Sequence, residues 1–205
     1  MKDIKFNKVL VFVNSLVPLA LMAWDYFHGR LGANPVEFLT RTTGMLTLVF
    51  LLISLAVTPL RKLTGIQWLV QFRRMLGLYA FFYGFLHLTT YIWFDRSLNL
   101  GNTVEDIYAR PFIAVGMLSF FLLIPLAITS TKGWIKRLGG KRWARLHRAV
   151  YVAAIGGVVH YWMLVKSDVT LPFRFALLLA LLLGYRVLAS YMKPKAPARV
   201  VLPPG

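Results

Sequence analysis

Long runs of apolar side chains separated by short polar stretches dominate this chain of 205 residues. The runs fall at roughly Val9–Phe27, Thr42–Leu60, Met75–Phe94, Pro111–Ser130, His147–Val165 and Phe173–Met192. Each is close to the ~20 residues an α-helix needs to cross the hydrocarbon core of a bilayer. A helix satisfies its own backbone polar groups while it crosses, which a strand of this length cannot do. The pattern therefore predicts an all-α protein: an integral membrane bundle of six transmembrane helices over residues 1–192. A tail over 193–205 follows, where Pro194, Pro197, Pro203 and Pro204 predict extended, disordered chain. Lys2, Lys5 and Lys8 before the first run resemble the start of a signal peptide. The run is too long for one and ends in Trp24-Asp25-Tyr26-Phe27-His28, so it is expected to stay as a helix. Gly29, Gly32 and Asn34-Pro35 mark turns in the loop that follows. A short helix is expected near Thr103–Tyr108 in the Asp95–Arg110 loop.

Composition agrees with a membrane protein, since 58% of residues are hydrophobic and 15% are charged. The formal charge of +17 invites a nucleic-acid reading, but its distribution argues otherwise. Lys2, Lys5, Lys8, Arg61, Lys62, Arg73, Arg74, the loop Lys132–Arg148 and the tail fall on one side of the predicted membrane. Arg30, Arg41, Arg96, Arg110, Lys166 and Arg174 fall on the other, together with six of the seven acidic residues. By the positive-inside rule the first side is cytoplasmic and both termini lie there. The basic loops then face the lipid surface, and no nucleic-acid role is expected. The location expected is a bacterial inner membrane, crossed several times. There is no cysteine, which excludes disulfides, thiolate metal sites, iron–sulfur clusters and covalent c-type haem. No glycine-rich nucleotide loop follows a strand, so any electrons come from another protein or carrier.

Ionisable groups at membrane depth are costly, and each is a functional candidate. His87 lies twelve residues beyond Met75, or ~18 Å into its helix at 1.5 Å per residue. His160 lies thirteen residues beyond His147, or ~20 Å into a helix entering from the same side. The two imidazoles are therefore expected at one depth, facing each other as bis-histidine ligation of haem iron requires. His147 lies ~20 Å nearer the cytoplasm and suits a second haem. Thirteen residues at roughly 100° each place His147 and His160 on different faces, so either the helix is irregular or His147 looks in another direction; Gly156-Gly157 is a candidate for the irregularity and for close approach of a macrocycle. Arg73 and Arg74 sit where a matching histidine for that second haem would fall. Arginine does not ligate iron but pairs well with propionates. The sixth position there would be water, another side chain or open. Alternatively, His147 and the arginines line a quinone or flavin site. His28 is expected at the interface, and Arg186 is expected to snorkel to the cytoplasmic side.

Arg73-Arg74-Met75-Leu76-Gly77-Leu78 leading to His87, and Gly140-Lys141-Arg142-Trp143-Ala144-Arg145-Leu146-His147 leading to Tyr151 and His160, resemble the ferric-reductase-like transmembrane domain. More narrowly, they resemble the haem-binding membrane subunits of bacterial protein-methionine-sulfoxide reductases. Gly32-Ala33-Asn34-Pro35-Val36-Glu37 and Thr58-Pro59-Leu60 fit the same pattern, which covers nearly the whole chain. The resemblance implies one or two haem b groups, with His87, His160 and His147 as metal ligands and Arg73 and Arg74 as further cofactor contacts. It also implies FMN. The electrons would come from the quinone pool or a flavin reductase and go to a periplasmic molybdopterin methionine-sulfoxide reductase of the MsrP type. The sulfoxide chemistry would then belong to that partner, leaving this chain a redox subunit without a catalytic site. Two other readings remain: a transmembrane ferric reductase, which normally carries a fused FAD/NADPH domain, and a haem-free scaffold or transporter.

Overall fold

The computed structural model describes residues 4–192; the tail expected to be disordered lies outside them. Among the described residues the chain is helical, without strands. The helices are α1 (Ile4–Phe27), α2 (Pro35–Thr64), α3 (Arg73–Thr90), α4 (Leu100–Ala109), α5 (Pro111–Ile128), α6 (Lys132–Leu138), α7 (Gly140–Leu146), α8 (Ala149–Leu164) and α9 (Thr170–Tyr191). A tight 3₁₀ turn at Gln67–Gln71 leads into α3, and a wider π turn at Tyr91–Asp95 ends it. The short helix expected near Thr103–Tyr108 is α4. Five helical segments are long and apolar enough to cross a membrane: α1, α2, α3 with its flanking turns, α5 and α9. The remaining expected span, His147–Val165, is realised as α8, which has only 16 residues.

Local chemistry sets the helix ends. Asn34 caps α2 by accepting the Glu37 N–H at 3.1 Å, Pro35 occupies the first turn, and Gly65 closes the far end with φ 72°. Asn99 caps α4 in the same way, and Pro111 opens α5. The expected Lys132–Arg148 loop is instead two short helices, α6 and α7, separated by Gly139 at φ 72°.

The packing is pairwise. α2 lies along α3 and α5 along α8, and the two pairs meet through α2–α8 and α3–α5 contacts, with α9 against α2 and α8. The core follows this order: Leu51, Leu52 and Leu55 of α2 and Ala80 and Tyr83 of α3 are almost wholly buried. Phe50 stacks on Tyr79 and Tyr83, with ring centroids 5.4 and 5.3 Å apart. α1 is peripheral, and two phenols of α3 fasten it. Tyr79 donates to the Phe12 carbonyl at 2.9 Å, and Tyr83 to the Ser15 carbonyl at 2.7 Å. Tyr83→Phe keeps the ring and removes that bond. It is expected to lower stability by about 1 kcal/mol, read as an earlier thermal transition in detergent. An unchanged transition would show that lipid-facing packing alone holds α1.

Candidate haem-binding site

His87 and His160 come together in the cleft between the two helix pairs, with ring centroids 6.1 Å apart and ring planes at 76°. Each ring is braced by the partner helix of its own pair. His87 Nδ1 lies 2.8 Å from the Thr40 carbonyl oxygen of α2. His160 Nδ1 lies 2.6 Å from the Phe112 carbonyl oxygen of α5. A carbonyl only accepts, so Nδ1 carries the proton in both rings and Nε2 keeps the lone pair. Fixing the tautomer through the second nitrogen is how proteins orient metal-binding imidazoles. Two metal–nitrogen bonds of about 2 Å, plus the distance from each nitrogen to its ring centre, place the centroids ~6 Å apart. The observed spacing matches a single iron gripped from both sides. Among the described residues no three His, Asp or Glu side chains gather around a common point. The pair therefore suits an ion whose other positions a macrocycle fills. On donor type, tautomer and spacing, these residues fit haem.

Two glycines complete the braces, and sequence reasoning missed both. The accepting carbonyls belong to Thr40 and Phe112, and four residues on, one helical turn further, stand Gly44 and Gly116. A Cβ on Gly44 would lie 3.0 Å from His87 Nδ1 and Cε1. On Gly116 it would lie 2.7 Å from His160 Nδ1 and 2.9 Å from Cε1. Each imidazole reaches its carbonyl by lying across the turn that the glycine leaves bare. Glycine inside a helix costs up to ~1 kcal/mol against alanine, so its presence at both positions marks a local need. The sequence showed two glycines in apolar runs but not what crossed them.

Gly156 and Gly157, expected to be irregular or to face a macrocycle, do neither. α8 runs regularly through them. A Cβ on Gly156 would run into Ser119 Oγ of α5, and one on Gly157 would lie 2.9 Å from Leu48 Cδ2 of α2. They are the points of close helix packing that seat α8 between its neighbours. The irregularity sits instead at His147-Arg148, where α7 ends and α8 begins. There the Arg148, Val150 and Tyr151 N–H groups reach carbonyls three residues back instead of four. His147 thus precedes α8, and the tight turn breaks the regular helix between it and His160, as the thirteen-residue spacing led one to expect.

His147 does meet the arginines. It lines a cavity of about 390 Å³ with Arg73, Arg74, Lys132 and Trp143, whose deeper wall is apolar (Leu51, Leu55, Leu78, Phe81, Leu123, Leu126). The ring stacks on Trp143 with centroids 4.0 Å apart, and Nε2 lies 3.0 Å from the Thr129 hydroxyl. Thr129 gives its one proton to the Pro125 carbonyl at 2.6 Å. His147 Nε2 is therefore the donor and its lone pair is on Nδ1, the opposite of the other pair. Ligation through Nε2 would require that bond to be released. His28 stays apart at the end of α1, bonded to the Trp24 carbonyl and stacked on Trp24.

Arg186 does not snorkel. Its guanidinium turns inward, donating to the carbonyls of Leu182 and Leu55 and lying 5.5 Å from the Tyr151 ring centre. Leu55 is four residues before Pro59, which has no N–H to give. Arg186 therefore supplies the hydrogen bond that α2 lacks and ties α9 to it.

The profile of the family described as "Ferric reductase like transmembrane component" matches residues 41–158. That stretch contains most of the two helix pairs, Gly44, Gly116, His87 and His147, and it stops just short of His160. The chain belongs to the ferric-reductase-like transmembrane family. It is also 50% identical over 188 residues to a protein of Herminiimonas arsenicoxydans, covering 91% of this chain and 86% of the relative. Identity is 52% over 181 residues with one from Azospira oryzae, covering 88% and 78%. With one from Xanthomonas campestris pv. campestris it is 46% over 203 residues, covering 96% and 93%. All three relatives are named protein-methionine-sulfoxide reductase heme-binding subunit MsrQ. Within the wider family, the chain is a member of the MsrQ group.

Proposed function

We propose that this chain is the haem b electron-transfer subunit of a protein-methionine-sulfoxide reductase system, held in a bacterial inner membrane. The observation that carries the reading is the His87–His160 pair: 6.1 Å between ring centres, with both Nδ1 atoms committed to backbone carbonyls. His87 and His160 each present an Nε2 lone pair from opposite helix pairs, and their braces keep the rings from turning away. Haem held there supplies a one-electron iron couple inside the membrane. The relatives are named heme-binding subunits of a protein-methionine-sulfoxide reductase, which supports haem binding within such a system by this chain.

His147, Arg73 and Arg74 serve a second redox group in the 390 Å³ cavity at the basic end. The arginines offer charge-assisted hydrogen bonds to an anionic edge, such as haem propionates or the FMN phosphate. The apolar wall takes a flat ring system. With Nε2 engaged by Thr129, ligation of a second haem by His147 would run through Nδ1, whereas a flavin or quinone needs no ligation by that ring. By the charge asymmetry this end and both termini are cytoplasmic, and electrons enter from the quinone pool or a flavin reductase. They leave on the opposite face, by loops 29–41 and 95–110, to a periplasmic molybdopterin methionine-sulfoxide reductase of the MsrP type.

The test is a cofactor inventory of the detergent-purified protein: pyridine haemochrome for haem and extraction for flavin, per polypeptide. His147→Ala is expected to remove one group and leave the spectrum of the His87–His160 haem unchanged. Absence of any haem in the wild-type protein ends the reading. If His147→Ala keeps the full inventory, the second site is wrong and the first stands.

A further inference from the structure

At the basic end α2 and α9 enclose a small cleft of about 110 Å³ that shares no lining residue with the redox cavity. Thr58, Lys62, Tyr185, Arg186, Ala189 and Ser190 line it. It offers two cations, two aliphatic hydroxyls and a phenol, and no carboxylate. Lys62 is held with its ammonium 6.0 Å above the Tyr185 ring centre. Arg186 spends its hydrogen bonds on the uncharged carbonyls of Leu182 and Leu55, which leaves its charge without a counter-ion.

No other described side chain supplies one. The ion pairs among the described residues join Glu37 to Arg41, and Asp95 and Asp106 to Arg96 and Arg110, all at the opposite end. The described acidic residues all lie towards that end. No described carboxylate balances the charge at the cleft, and Lys62, Arg186 and the Thr58 and Tyr185 hydroxyls are the kinds of donor that a phosphate takes. The volume is well below the roughly 300 Å³ at which small-molecule pockets begin, so a headgroup fits where a flavin or haem does not. Beside it, Leu63 of α2 and Leu181 and Leu188 of α9 are exposed and offer apolar surface to acyl chains. Basic clefts between membrane helices are a recurrent seat for anionic lipid headgroups.

We propose that this cleft binds the phosphate of an anionic phospholipid, such as phosphatidylglycerol or cardiolipin, lodged between α2 and α9. The lipid supplies the missing counter-charge beside Arg186 and packs over the seam where that arginine repairs the proline gap of α2. Free phosphate shares the chemistry but not the acyl contacts.

The test is native mass spectrometry of the intact, cofactor-loaded protein released from detergent after titration with phosphatidylglycerol or with zwitterionic phosphatidylcholine. Phosphatidylglycerol is expected to be retained at least about tenfold more tightly. Lys62→Gln should reduce that preference several-fold, and Lys136→Gln, an exposed lysine of α6 outside the cleft, should leave it unchanged. Equal retention of the two lipids overturns the proposal. So does equal loss in the two variants, which would mean a diffuse basic surface. Competition by millimolar inorganic phosphate would assign the site to a free anion and also overturn it. Haem absorbance, read on the same samples, reports whether Lys62→Gln has kept its fold. Should it not, Thr58→Val takes its place with the same expected loss.

Discussion

His160→Ala is expected to remove one haem per polypeptide, and His87→Ala to remove the same one. Either change takes away one of the two imidazoles whose ring centres lie 6.1 Å apart, and a haem left with one imidazole and one weak-field position is lost or turns high-spin. The expected result in pyridine haemochrome is a stoichiometry reduced by one, with the low-spin split α/β bands of that haem gone from the reduced spectrum. Misfolding would produce the same loss, so a second variant separates the two. His160→Gly leaves a ring-sized hole bordered by the Phe112 carbonyl and the bare Gly116 turn, and added imidazole should restore the low-spin bands. Restoration needs a folded cleft, so it ties the loss to the ligand. If either alanine variant keeps full haem with an unaltered spectrum, that histidine is no ligand and the proposed function loses its central observation. Paramagnetic resonance of the oxidised protein adds a geometric check, because the g-anisotropy of low-spin haem responds to the angle between axial imidazole planes, here 76°.

Gly116→Ala is expected to be nearly as damaging while touching no ligand atom. The new methyl would sit 2.7 Å from His160 Nδ1, closer than van der Waals contact, and the atom in the way is the one that bonds the Phe112 carbonyl. The ring must swing off its rotamer or release the carbonyl, at a cost of order 1–1.5 kcal/mol for each. A cost of about 1.4 kcal/mol is tenfold in affinity. Haem retention should therefore fall roughly tenfold or more, with a shifted midpoint potential in the fraction that keeps haem. Gly44→Ala, where the contact would be 3.0 Å, should act in the same direction more mildly. Gly184→Ala of α9, with nothing within 4 Å of the added carbon, should keep its haem and gain up to ~1 kcal/mol of stability. Should Gly116→Ala behave like Gly184→Ala, the bare turn is not what holds His160 in place.

Much of this site is legible in the order of residues. The depth match of His87 and His160 follows from residue counts, because rise along a helix is fixed and adds up residue by residue. Rotation about the axis is far less secure. Over thirteen residues the phase depends on every turn being regular, and the tight turn at His147-Arg148 breaks that condition. The reading of Gly156-Gly157 fails for a related reason. A glycine in an apolar run records that something approaches closely, but whether it is a cofactor, a ring or a neighbouring helix depends on which helices are neighbours.

Helicity, several membrane crossings, charge segregated to one end and two imidazoles level within the bundle are all written in the amino-acid order. They are consequences of backbone satisfaction in lipid, of hydropathy and of a constant helical rise, which are local properties of the chain. The bracing of His87 by α2 and of His160 by α5 over glycine turns emerges only when the helices pack. So do the bond that Arg186 completes where Pro59 leaves a gap, and the proton that His147 Nε2 gives to Thr129. Those pairings depend on which faces of which helices meet. That choice is made by many weak packing contacts acting together, and no single stretch of sequence encodes it.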